Sequence, residues 1–492
     1  MKQFRADSLD AMRGLTIAMM VLCDTIVNWV LPLWNSHCQV PPTTGFDPSV
    51  YGITWVDLVF PFFLFAMGAA MPFSVGSRMS RGVRRYKVAA EGVWRGIKLA
   101  FFAIFIHNCS PWVLTRILGE GAETTAWLLS IAAFGVLFLL FSRWPGKHGV
   151  CVRVGVPVIG ILLACFIMGW VESHVSLSER FISTDPGAFD IFNKHLDNIL
   201  RKSDIIILLL GNMAAVGTLI YVCTIGKPIV RLAILPFLMA ILLGKDTDGS
   251  WQQVVLNWSP FPWLYRFEFL KYLFVLIPGT IAGEFLRDWI LAGGTDYTKP
   301  KTRGEVSTAM VAILSLAIIV VNVTLLFGRH LVANLYVTTL LAAVAVYFVN
   351  RMPSDRKVLG HLVKAGAIAL LLGLFFEAFQ GGIRKDDPTF SYYFVTSGLA
   401  FYCMAMLVIV CDVYRWKGVM KPLTLTGKNP MIAYVAWLMF FSPLMNLLGI
   451  GDSLMPFWAS TWYWALGRGI MFTVLSIAIA GGFSKLKLYW RT

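Results

Sequence analysis

Asp24, His37, Asp47 and Asp57 stand close together in the chain, and together they have the chemistry to move protons. Asp24 lies inside one apolar run (SLDAMRGLTIAMMVLCDTIVNWV, from Ser8) and Asp57 opens another (WVDLVFPFFLFAMGAAMPFSV, from Trp55). An acid at the centre of a bilayer costs about 2.5–3.5 kcal/mol or more, so each reads as a functional-site residue. The plain alternative is a packing role, with each acid paired to a buried arginine or a helix end. Asp24 and Asn28 are four residues apart and would share a helix face, a polar notch that favours an interior cavity over lipid. Asp57 falls in a first turn, where the helix dipole also favours it. Pro61 would leave a carbonyl free inside the membrane, and something must satisfy it. His37 and Asp47 occupy the loop between the runs; either intramembrane acid could set the tautomer and basicity of His37.

Further along, Ser8 or Asp10 would cap the first helix and Arg13 would snorkel to phosphate. His107 and Asn108 end the third span on the side of the His37 loop. Glu284, Glu377 and Arg468 fall in or near later spans, and Arg468 is a natural counter-ion for one of the acids. Gly427-Lys428-Asn429-Pro430 opens a helix whose N-terminus and lysine suit a phosphate; it lacks the longer frame of a P-loop. The eight cysteines are scattered without metal-ligand spacing, so no metal is expected. Cys38 and Cys109 are the one pair on a common outer side where a disulfide is conceivable.

These residues need a membrane scaffold to hold them. The 492 residues are 57% hydrophobic and 14% charged, with mean hydropathy +0.69, against about 25% charged in soluble domains. The expected fold is therefore an all-α polytopic membrane protein in one domain, 1–492. The first apolar run is long and followed by others, so it reads as a retained helix and not a cleaved signal. Windows of about 20 apolar residues fall near 14–33, 55–75, 97–114, 125–141, 154–171, 204–223, 229–244, 269–285, 307–326, 331–349, 362–380, 391–412, 430–450 and 460–482; some are short, giving 11–14 spans. With alternation from an inside N-terminus, segments 1–13, 77–98, 142–153, 224–231, 286–306, 351–364, 413–428 and 484–492 share one side and hold 30 of the 42 Lys and Arg. The positive-inside rule makes that side the cytoplasm, with both termini on it. The net charge of +15 thus faces anionic lipid, and no nucleic-acid partner is needed to explain it. The longest outer segments, 172–203 and 245–266, would shape a substrate mouth or lie flat at the interface.

The motifs SLDAMRGLTIAMMVL, the loop with Pro41-Pro42, and GITWVDLVFPFFLFAMG resemble the heparan-α-glucosaminide N-acetyltransferase family, in a bacterial branch lacking the N-terminal luminal region. The match is strongest over 6–76. Weaker echoes are Arg95 with Ile106-His107-Asn108, LIPGTIAGE at 276–284, and GKNPMIAYV at 427–435. The resemblance implies a transmembrane acetyltransferase that moves acetyl from acetyl-CoA, supplied by the cytosol, to the amine of a glucosamine or related glycan outside. It also implies a bacterial cytoplasmic membrane, and it alone suggests a homodimer. In the family a histidine stands ten residues before the Asp of DLVFP; here that position is Asp47. His37 matches a second histidine that many bacterial relatives carry before their Pro-Pro, and the family's first-span Asn aligns with Asp24. The central Arg-Ile-x-Gly-Val-Leu-Gln-Arg pattern is reduced to a trace at 115–120.

The expectation is that Asp57 and Asp24 orient or tune the site, and that His37 or Asp47 serves as base in direct transfer. Asn28, His107, Asn108, Asn429 and Arg468 are candidate polar contacts. Arg13, Arg95 and Lys428 would face the CoA phosphates, each with the plain alternative of a positive-inside anchor. Two other functions stay open: a secondary transporter of a sugar or amino sugar, and a polyprenyl-sugar glycosyltransferase with Asp47 as the acid of its first outer loop.

Overall fold

Apolar windows of spanning length fold as helices because a backbone in lipid must satisfy its own N–H and C=O groups. A computed structural model describes residues 6–27, 29–31, 35–41, 43, 45–143, 150–174, 199–294 and 305–490. The described chain is all-α apart from one short strand pair. Its helices are α1 (Asp7–Thr25), α2 (Val59–Met79, preceded by a 3₁₀ turn, Trp55–Leu58), α3 (Arg85–Asn108), α4 (Pro111–Leu118), α5 (Glu123–Phe141), α6 (Val150–Ser173), α7 (Ile205–Cys223), α8 (Pro228–Leu243) and α9 (Trp251–Asn257). There follow α10 (Leu273–Leu291), α11 (Glu305–Phe327), α12 (Leu331–Asn350), α13 (Lys357–Phe376), α14 (Phe390–Leu407), α15 (Lys417–Thr426), α16 (Pro430–Ala436), α17 (Ser442–Leu447), α18 (Ile450–Trp458) and α19 (Trp462–Lys485). Among the described residues, eleven helices are long and apolar enough to cross a membrane. α3 and α4 make a further bent pair, broken by 50°, and α8 is a shorter apolar helix. Most of the outer segment 172–203 lies outside the described residues, whereas 245–266 contains the short helix α9.

β1 (Ser142–Arg143) pairs antiparallel with β2 (Tyr489–Trp490), which places the end of α5 and the end of the described chain on one face. Trp490 there lines the same pocket as Arg13, Arg78, Arg95 and Lys428, and these cations make it the basic face. Helix α2 ends at this face, with Arg78 in its last turn. Its start, the His37 loop and the turn between α13 and α14 therefore lie at the opposite face.

Helices α2 and α10 pack at backbone distance. A Cβ on Gly68 would overlap the Leu276 carbonyl, and Cβ atoms on Gly279 and Gly283 would overlap the carbonyls of Phe65 and Ala69. The glycines of LIPGTIAGE are thus a small-residue seam that seats α2, a common way for helices to associate closely in lipid. Two polar clusters tie other helices together. Arg231, fully buried, donates to Thr280 at 2.9 Å and pairs with Glu284 at 2.8 Å. Asn322, Asn334 and Thr338 bond one another between α11 and α12.

Two local expectations change. Helix α1 begins at Asp7, so Ser8 and Asp10 lie inside its first turns and do not cap it. The free Asp7 N–H is taken by Asp412 Oδ1 at 3.2 Å, from the turn that continues α14. Asp24 is not mid-span but in the last turn of α1, because Ile26 turns extended and Arg468 Nη1 takes the Thr25 carbonyl at 2.6 Å. Cys38 and Cys109 are both free.

Candidate active site

Thr54-x-x-Asp57 has the spacing of a capping box, and that box holds Asp57 at the start of α2. Asp57 Oδ2 accepts from Thr54 N at 2.7 Å and from Thr54 Oγ1 at 3.2 Å, and the side chain is 1% exposed. Pro61 removes the donor that would have met the Asp57 carbonyl four residues back. Tyr392 Oη, from α14, donates to that carbonyl at 2.8 Å. One carboxylate oxygen is therefore committed to the helix start. The other, Oδ1, has no hydrogen bond among the described residues and faces Lys385 Nζ at 3.6 Å. Sequence reasoning missed Lys385; its only signal was the charged run Arg384-Lys385-Asp386-Asp387 after two glycines.

The loop before α2 supplies His37 and Cys38. His37 sits edge-on to Phe46, ring centroids 5.2 Å apart. Burial, and then the Lys385 cation, hold its imidazole down at about 4, with Asp386 acting the other way. His37 is thus a neutral imidazole at physiological pH. Cys38 Sγ donates to Asp386 Oδ2 at 3.3 Å. Burial, with Asp386 and Asp57 adding to it, pushes that thiol up to about 12, so it is no nucleophile. Asp47 is turned into its own loop. Its Oδ1 accepts from Ser49 Oγ at 2.6 Å and Ser49 N at 2.8 Å, and these two bonds hold its carboxyl below the usual range.

A second group surrounds Asp24, whose side chain is accessible although it stands among packed helices. The Trp437 indole lies beside it. Arg468, the expected counter-ion, lies within its field, with the guanidinium over Trp458 and Phe472 at 5.5 and 5.4 Å. Asp204, also missed by sequence reasoning, caps α7 through Ile207 N at 3.0 Å and accepts from Tyr434 Oη at 2.9 Å. The Cys23 thiol feels Asp24, Lys385 and Asp57 together, so the two groups adjoin. Asn28 lies outside the described residues.

The basic face opens into a cavity of about 460 Å³. Arg13, Arg95, Lys98 and Lys428 line it together with Phe63 and Met67. Arg78 and Glu91, an ion pair, form part of its wall. Three stretches far apart in the chain thus meet here, bringing Arg13, the α3 pair Arg95 and Lys98, and Lys428 to one cavity. Phe63 stands six residues beyond Asp57, about 9 Å along the helix at 1.5 Å per residue. The cavity therefore runs from the basic face to within two turns of the Asp57–Lys385 pair.

Two expected polar contacts also hold the fold together, and Asn429 lines the cavity beside Lys428. Asn108 Nδ2 donates to the carbonyls of Ile104, Ile199 and Lys202, pinning the approach to α7 against α3. Asn429 Nδ2 donates to Ser484 Oγ and the Leu488 carbonyl, and its Oδ1 accepts from Trp490 N. Both side chains organise backbone. His107 packs edge-on against Trp112 at 5.3 Å and lies within the field of Asp204.

A family model described as a domain of unknown function (DUF5009) matches residues 5–286, more than half of the chain. The chain belongs to the DUF5009 family. Two curated relatives add to this. Over 106 residues it is 39% identical to the heparan-alpha-glucosaminide N-acetyltransferase of Mus musculus, and over 103 residues 31% identical to that of Homo sapiens. Each match covers 20% of this chain and 15% of the relative, so the chain spans a small part of either relative's length. The DUF5009 match takes in α1 to α9 and most of α10, with the capping box and most of the cavity wall; Lys385 and Lys428 come from beyond it.

Proposed function

We propose that this integral membrane protein is a transmembrane acetyltransferase of a bacterial cytoplasmic membrane. Acetyl-CoA binds in the cavity of the basic face, and the acceptor is the amine of an amino sugar or glycan at the opposite face. The observation that carries this reading is the cavity where four cations meet apolar Phe63 and Met67. Such a lining suits a phosphorylated head with an extended thioester arm. The partial likeness to two acetyltransferases supports the same chemistry.

The acceptor amine attacks the thioester carbonyl carbon, the carbon–nitrogen bond forms, and the carbon–sulfur bond then breaks to release CoA as its thiol. Nitrogen bonded to the tetrahedral carbon becomes strongly acidic, so a weak base is enough to remove its proton. Neutral His37 can take it, whereas Asp47 is engaged by Ser49. Asp57 orients this side of the site through Oδ1. Transfer is direct from thioester to amine.

The test is acetyl-CoA-dependent acetylation by the purified protein in detergent, with glucosamine and a panel of amino sugars. Acceptor-dependent CoA release, with a raised KM for acetyl-CoA in Arg13→Ala and Lys428→Ala, is the expected result. No CoA release with any acceptor, together with sugar accumulation in vesicles lacking acetyl-CoA, would establish a transporter instead.

A further inference from the structure

Three lysines approach the opposite face of the site, and two of them are spoken for. Lys271 Nζ bonds Glu268 at 2.7 Å and Asp387 at 3.0 Å, and Lys245 stands 3.9 Å from the same two acids. Lys385 differs. Its side chain is 19% exposed, its nearest acid is Asp57 at 3.6 Å, and among the described residues its ammonium makes no hydrogen bond. A separation of 3.6 Å is too long for one. Among the described residues, a largely buried cation with open donors thus stands beside a carboxylate oxygen that also lacks a hydrogen bond.

The turn that carries Lys385 is fastened on both flanks. Gly52 N donates to the Ile383 carbonyl at 2.8 Å, and Ile383 N donates to Glu377 Oε1 at 3.3 Å. Arg384 N bonds Thr389 Oγ1 at 3.1 Å, Asp386 takes the Cys38 thiol, and Asp387 takes Lys271. A charge fixed in advance at a desolvated point is what stabilises charge developing in a transition state.

We propose that Lys385 is a catalytic residue that holds the thioester oxygen as it becomes an oxyanion. The inference rests on the acetyltransferase reading. When the amine nitrogen attacks, the carbonyl π pair moves to oxygen, which the Lys385 ammonium receives. The pair returns as the carbon–sulfur bond breaks and the thiolate leaves, taking up the proton lost by nitrogen. Lys385 keeps its own proton throughout, and Asp57 Oδ1 keeps it aimed.

The experiment compares wild type, Lys385→Met and Lys385→Arg with acetyl-CoA and fluoroacetyl-CoA, with melting temperature and acetyl-CoA binding as folding controls. Loss of one such donor typically lowers kcat by about 10²–10³. That fall is expected in Lys385→Met with acetyl-CoA, at a KM for acetyl-CoA within about twofold. Fluorine stabilises an oxyanion by itself, so the fall with fluoroacetyl-CoA should be clearly smaller. A lysine that only neutralises Asp57 would lower both donors equally, and that result overturns the proposal. If Lys385→Met does not fold, Lys385→Arg carries the test: it keeps the charge but shifts the donors, so an unchanged donor ratio overturns the proposal there. Wild type that transfers acetyl while Lys385→Met matches it defeats this inference alone. Wild type that never releases CoA defeats the acetyltransferase reading and this inference with it.

Discussion

Gly14 and Gly427 face one another across a contact with no room for a side chain. A Cβ on Gly14 would overlap the Leu423 carbonyl and stand 3.1 Å from Gly427 N; one on Gly427 would overlap the Asp10 carbonyl and stand 3.0 Å from Gly14 N. Each glycine adjoins a cation of the cavity in the chain, Arg13 before Gly14 and Lys428 after Gly427. The contact thus sets the spacing of the two charges. Overpacking a close contact typically costs about 1–3 kcal/mol. Gly427→Ala should lower the melting temperature and weaken acetyl-CoA binding together, read by thermal shift and by KM. Unaltered binding would separate the contact from the cavity.

Asp57→Asn keeps the size of the side chain but removes the charge opposite Lys385. Thr54 would still find an oxygen, so the start of α2 should survive. Acceptor-dependent CoA release is expected to fall by about 10²-fold or more while the protein still purifies as a folded species. A variant that retained wild-type turnover would show that the carboxylate only caps its helix.

Tyr392→Phe should expose what Pro61 costs. The Asp57 carbonyl would lose its donor at 2.8 Å and be left buried and unpaired, a loss of about 1–3 kcal/mol. Pro61→Ala in the same chain restores an N–H four residues on, so the double variant should recover part of the melting temperature. No recovery would mean that Tyr392 acts through packing alone.

His37 makes stability depend on acidity in a stated window. Its folded value is about 4, below the ordinary 6.5, because burial and Lys385 disfavour the imidazolium. Below pH 6.5 the unfolded chain therefore binds a proton that the folded protein refuses. The contribution of the neutral ring is whole above pH 6.5 and is lost as pH falls toward 4. Melting temperatures across this window should fall more steeply for wild type than for His37→Gln. Parallel profiles would show that His37 does not titrate there.

The kind of molecule was legible from residue types and local spacing. Apolar windows of spanning length specify helices in any membrane protein, since lipid leaves the backbone no other partner. The spacing of Asp57 in its apolar run was enough to place it in the first turn of a helix, though not to find Thr54 as its capping partner. Contacts between distant segments were not legible. The partner of Asp57 comes from the turn before α14, and the partner of the Asp7 N–H comes from Asp412 at that helix's far end. Asn108 and Asn429 read as polar contacts for a substrate, and the fold shows that their amides also bond carbonyls of distant segments. Only the tertiary structure could decide these roles, because a polar side chain carries no mark of whether its partner will be a substrate or another stretch of its own chain.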